Sequence, residues 1–130
     1  MKRRRYLKTL LGAAVTGTLG IAAETAKPIQ LHMDLAVDPA KEQEMLNHFE
    51  TIFKPAAVKQ PGYIEVEMLK LNSVPIGKAP AGMNYRFSLK YQSEALRQKW
   101  VNSDTHKKVW PTIEKTLSSR DYTVILFDVA

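Results

Sequence analysis

Three stretches of this chain alternate apolar and polar residues, a fourth is largely apolar on both faces, and helical stripes separate them in a fixed order. That order constrains the fold more than any single motif. Gln30 to Val37 places Leu31, Met33, Leu35 and Val37 on one face and Gln30, His32, Asp34 and Ala36 on the other, the period of a strand. Asp38-Pro39 supplies an N-cap with proline at the first helical position. The following helix carries Met45, Phe49, Ile52, Phe53 and Ala56 as one apolar stripe. Pro55 is expected to kink or end it, and Gln60-Pro61-Gly62 to turn the chain out.

Tyr63 to Leu71 reads as a second strand, with Ile64, Val66 and Met68 opposite Glu65 and Glu67. The stretch 73–83 reads as a long hairpin loop. Asn84 to Tyr91 is a third strand, with Tyr85, Phe87, Leu89 and Tyr91 on one face and Arg86, Ser88 and Lys90 on the other. Ser93 caps a short helix bearing Leu96 and Trp100. Asn102-Ser103-Asp104 interrupts it, and a further helix runs to about Leu117 through Val109 and Ile113. Arg120 to Val129 is apolar on both faces apart from Tyr122 and Asp128 and is expected to be a central strand.

The predicted order is β-α-β-β-α-β, the α+β arrangement of ferredoxin-like folds. Its helices cover one face of the sheet. The other face would present His32, Asp34, Glu65, Glu67 and Arg86 beside Leu69 and Leu71, a mixture that a second copy of the chain would cover. A homodimer is therefore expected.

The first 26 residues read as an address rather than as part of the fold. Lys2-Arg3-Arg4-Arg5 precedes a weakly apolar run from Thr9 to Ala23 that is too short and too glycine-rich for a permanent membrane span. The segment resembles a twin-arginine export signal, with Arg3-Arg4 as the pair and cleavage between Ala22 and Ala26. This implies that a folded domain, residues 27–130, reaches the periplasm and meets the membrane only in transit. Taking the five cations of residues 2–8 from the 19 Lys and Arg leaves 14 against 13 acidic residues. The rest of the chain has no overall positive field, so nucleic acid is not an expected partner. The absence of cysteine excludes disulfides, thiolate metal sites and cysteine nucleophiles.

Phe53-Lys54-Pro55-Ala56 followed by Gln60-Pro61-Gly62-Tyr63, together with Trp100-x-x-Ser103-x-x-His106, resembles the antibiotic biosynthesis monooxygenase superfamily of dimeric α+β barrels. The likeness covers Ile29 to Val129. It implies sheets paired back to back and a small-molecule pocket between sheet and helices, bordered by Trp100. Members include cofactor-independent oxygenases, quinone-forming monooxygenases, haem degraders and proteins without demonstrated activity. Haem-degrading members carry a histidine ligand where this chain has Trp110, and a first-strand asparagine where it offers His32 and Asp34, so haem degradation is a minor expectation.

The chemistry then expected is oxygenation of a small aromatic or quinol-like compound without metal or organic cofactor. His32 and Asp34 lie two apart on one strand and share a face, so Asp34 is placed to orient His32 as a general base. Arg86 on the polar face of the third strand would hold the substrate anion, or else pair with Glu65 or Glu67. His106, Trp100, Tyr63 and Tyr85 are the candidate substrate contacts, and Tyr122 is a further tyrosine able to donate to a substrate oxygen. His32, His48 and His106 show no metal-ligand spacing, and no glycine-rich phosphate loop is present. The alternative is a binding or stress-response module with the same pocket and no turnover.

Overall fold

The computed structural model describes residues 27–130. The proposed export segment and its cleavage site lie outside them. Four antiparallel strands, β1 (Ile29–Leu35), β2 (Tyr63–Lys70), β3 (Tyr85–Tyr91) and β4 (Thr123–Asp128), form one sheet in the order β2-β3-β1-β4. The helices pack on one face of that sheet. The architecture is the expected ferredoxin-like α+β fold.

Alternation along β1 and β3 decides which face is which. Leu31 and Leu35 on β1, and Tyr85, Phe87, Leu89 and Tyr91 on β3, are buried beneath the helices. Gln30, His32 and Asp34, paired with Lys90, Ser88 and Arg86, point to the helix-free face. A one-residue slip would exchange the two sets, so burial of the aromatic face fixes the register.

β4 corrects an expectation. It pairs only with β1 and forms an edge of the sheet, and every one of its residues is exposed. Its two apolar faces have different causes. Val124 and Leu126 share the helix-side face with Met33 and Leu31, whereas Ile125 and Phe127 share the open face with His32 and Gln30. Apolar residues on both faces therefore mark an edge strand with two partly uncovered surfaces in the single chain.

Asp38 caps the entry to the first helical layer by accepting from the Ala40 N–H at 2.9 Å. A turn at Pro39–Lys41 leads into α1 (Glu42–His48), a wider turn at Phe49–Phe53, and α2 (Lys54–Ala57). In that wider turn Lys54 N–H donates to the Phe49 carbonyl, a five-residue step. The extra residue accommodates Pro55, which lacks an N–H, so the rod continues two residues beyond the proline instead of ending there. It also changes the buried stripe to Met45, Phe49, Phe53 and Ala57, at spacings of four, and turns Ile52 and Ala56 outward from the expected line.

Ser93 and Ser103 cap α3 (Glu94–Val101) and α4 (Asp104–Glu114). The two helices are separated only by Asn102 and Ser103. His48 Nδ1 lies 2.8 Å from the Thr112 carbonyl and ties α1 to α4. Among the described residues no helix is long and apolar enough to cross a membrane.

Candidate functional site

The residues singled out from the sequence fall on opposite faces of the sheet. On the open face, Arg86 Nε donates to Asp34 Oδ1 at 2.7 Å, directly across the β1–β3 ladder. Arg86 therefore pairs with Asp34 rather than with Glu65 or Glu67. The His32 ring is engaged elsewhere: its Nε2 lies 3.0 Å from Gln30 Nε2, and it tilts against Phe127 with centroids 5.1 Å apart. Burial, reinforced by the Arg86 charge, lowers its pKa from the ordinary value, while Asp34 acts weakly in the opposite sense. Asp34 spends its hydrogen bond on Arg86, so the expected His32–Asp34 dyad is not assembled in this chain.

Tyr85 and Tyr63 do not border the aromatic pocket between sheet and helices. The Tyr85 hydroxyl donates to Glu42 Oε2 at 2.6 Å, and Lys70 Nζ lies 2.8 Å from the same oxygen. Burial, followed by the Glu42 carboxylate, pushes the Tyr85 phenol up to about 12. Tyr63 starts β2 opposite Tyr91 and packs, half-buried, against the core.

Trp100 and His106 do meet. They border a pocket of about 220 Å³ between the sheet and the helices. β1 and β3 supply its floor through Leu31, Met33, Phe87 and Leu89. The wider turn supplies Phe53, α3 supplies Arg97 and Trp100, and α4 supplies His106 and Trp110, with Tyr122 and Val124 closing one side. The lining is mostly aromatic and aliphatic, with a few polar groups, which is the composition of a small-molecule site.

One serine explains the spacing Trp100-x-x-Ser103-x-x-His106. Its hydroxyl donates to the Trp100 carbonyl at 2.7 Å and accepts from the His106 N–H at 3.1 Å. The end of α3 and the start of α4 are thus joined through one side chain, with both aromatic residues turned into the pocket. The His106 and Trp100 rings meet edge to face at 5.0 Å, and Trp110 lies nearly parallel to His106 at 6.4 Å. Burial among these rings, then the Arg97 charge, lowers the His106 pKa from 6.5. Its ring makes no hydrogen bond among the described residues, so near pH 7 it presents a neutral imidazole to the cavity.

Sequence reasoning missed Arg97, Phe53 and Trp110 as pocket residues, whereas Tyr122, one of three tyrosines considered as donors to a substrate oxygen, does line it. Phe53 and Trp110 look like ordinary helix aromatics, and Arg97 like a solvated charge. Tyr122 carried no signal separating it from other strand aromatics. Its hydroxyl donates to Glu114 Oε2 at 2.9 Å, and burial raises its pKa. Among the described residues no group of three or more His, Asp or Glu is placed to hold a metal ion.

A broader, open depression of about 340 Å³ lies on the other side of the sheet, beneath the β2–β3 hairpin and next to Arg86. The aromatic pocket, although smaller, is the better candidate, because it is the less open of the two and is bordered by a titratable ring with no hydrogen-bond partner among the described residues.

No family model matches the chain, and no curated protein matches it in sequence. Solved structures do match it in fold. A candidate antibiotic biosynthesis monooxygenase from Caulobacter crescentus superposes with a TM-score of 0.66 at 16% identity, covering 81% of this chain and 92% of its own. A hydroxynitrile lyase from Passiflora edulis gives 0.65 at 8% identity, over 81% and 95%. A haem-degrading protein from Mycobacterium tuberculosis gives 0.58 at 15%, over 82% and 94%. These three carry different chemistries on one scaffold, so the shared feature is the fold and the reaction has to be argued from the pocket. In architecture the chain is an α+β protein of the kind found in antibiotic biosynthesis monooxygenases.

Proposed function

We propose that this protein is an oxygenase of the antibiotic biosynthesis monooxygenase type, acting on a small aromatic or quinol-like compound in the pocket between sheet and helices. The observation that carries the reading is the placement of His106: its ring lies edge-on to Trp100 in an aromatic pocket and has no hydrogen-bond partner among the described residues.

In this reading His106 accepts a proton from an acidic C–H or O–H of the substrate. The substrate anion transfers one electron to dioxygen, and the resulting radical pair forms a C–O bond. The peroxide so formed takes up the proton and loses water, leaving a carbonyl. One oxygen atom enters the product and the other leaves as water, so no external reductant is consumed. A substrate seated among these aromatic side chains would lose contact with bulk water, which raises the energy of the localised substrate anion and favours electron transfer. His32, Asp34 and Arg86 remain on the opposite face, against which a second copy would pack to form a homodimer. Residues 1–26 complete the proposal as a twin-arginine-like signal carrying the folded domain to the periplasm.

One observation favours a second reading, a binding module without turnover. No carboxylate contacts the His106 ring among the described residues, so no negative charge there raises its basicity. The deciding experiment follows oxygen consumption by the purified protein with a panel of anthrones, quinols and haem. Uptake with formation of a carbonyl product supports the oxygenase; tight ligand retention with no uptake across the panel supports the binding module.

A further inference from the structure

Arg97 is a cation in the wall of an otherwise largely apolar pocket, and its side chain is only 14% exposed. Its Nε donates to Glu94 Oε1 at 2.7 Å and its Nη2 to Glu94 Oε2 at 2.8 Å, a two-pronged pair within one turn of α3. A guanidinium has five N–H donors. This pair uses two of them, and Nη1 has no partner among the described residues. Glu94 in turn also accepts from Gln98 Nε2 at 2.8 Å, so its carboxylate is shared. A mostly buried cation with spare donors gains most from a second, planar anion.

We propose that the pocket takes a one- or two-ring aromatic acid, whose carboxylate pairs with Nη1 of Arg97 while its ring lies among Phe53, Trp100, His106 and Trp110. This rests on the reading of the pocket as the small-molecule site and names the class of compound it selects. Size points the same way. About 220 Å³ lies below the roughly 300–1,000 Å³ of pockets for drug-sized ligands, which suits a small ring system. Glu94 holds the guanidinium fork in position, and the incoming carboxylate completes its coordination. The aromatic walls supply ring contact without further charge.

The two tryptophans of the chain, Trp100 and Trp110, both line this pocket, so their fluorescence reports its occupancy. The test titrates the full-length protein with 2-naphthoate and with its uncharged methyl ester. The acid is expected to bind at least about tenfold tighter, the scale of one charge-assisted contact. Arg97→Met should bring the ratio close to one while leaving ester binding in place. Arg97→Gln, which keeps a polar side chain without the charge, should give the same loss and serves if Arg97→Met does not fold. Equal affinity for acid and ester in the wild type, or an undiminished preference in the folded variants, would overturn the assignment of an acid while leaving the pocket itself intact. Binding of neither probe would overturn the acid assignment and the small-molecule reading together.

Discussion

The rings of Trp100 and His106 meet edge to face with centroids 5.0 Å apart, although they sit on different helices. Ser103 holds that geometry by bonding to the backbone of both residues. Ser103→Ala should therefore do two things at once. Losing the cap of α4 should cost about 0.5–2 kcal/mol of stability, measured by chemical denaturation. The loosened joint should also change the tryptophan fluorescence of the folded protein and weaken ligand binding. A stability loss with unaltered binding would show that Ser103 only caps.

Across the sheet, the Asp34–Arg86 pair predicts an asymmetry. The Asp34 side chain is 10% exposed and that of Arg86 is 38% exposed. Arg86→Met strands a nearly buried carboxylate and should cost about 1–3 kcal/mol. Asp34→Asn leaves an arginine that can reach water, and should cost less than about 1 kcal/mol. Denaturation curves of the two variants check the order, and neither change should abolish chemistry in the pocket.

Gly62 has a left-handed φ of +88°, and a Cβ placed there would lie 2.6 Å from Leu96 Cδ1 and 2.9 Å from Leu96 Cβ. Gly62→Ala meets both a conformational penalty and a clash with α3, for an expected loss of about 1–3 kcal/mol. Because α3 also carries Arg97 and Trp100, the same substitution should weaken binding in the pocket. Thermal unfolding and a ligand titration of this variant test both effects.

The proposed homodimer places a second copy against the open sheet face. Phe127, on the edge strand, tilts against the His32 ring and remains 46% exposed in the single chain. Phe127→Glu puts a charge into that surface and is expected to convert a dimeric mass to a monomeric one in light scattering, with the fold retained by circular dichroism. A wild-type protein that is already monomeric would contradict the proposed pairing.

Much of the fold was legible because period-two alternation in β1 and β3 carries both strand identity and facing. The rod and the last strand were less so, for specific reasons. The five-residue step before Pro55 shifts the buried stripe from Ala56 to Ala57, and hydropathy spacing assumes a regular helix. The apolar character of β4 arises from two separate surfaces rather than from double burial. The site was legible only where backbone and side chain act together, as in the Trp100–Ser103–His106 spacing. Arg97 was hidden because nothing local distinguishes it from a solvated helix charge. Its burial comes from the packing of α3 over the sheet. His32 and Asp34 do share a face, but the sequence could not show that Arg86 would stand opposite Asp34, which depends on the register between β1 and β3.

The most direct test of the account compares oxygen uptake by the wild type, His106→Gln and His32→Gln on the best substrate of the panel, across pH. The His106 pKa is lowered from 6.5, so the wild-type rate should hold steady through neutral pH and fall only as pH drops below that value, when the ring gains its proton. His106→Gln should abolish both the uptake and this acid limb, while His32→Gln should retain them. Loss of uptake in His32→Gln with an unaffected His106→Gln would place the chemistry on the opposite face of the sheet and contradict the account.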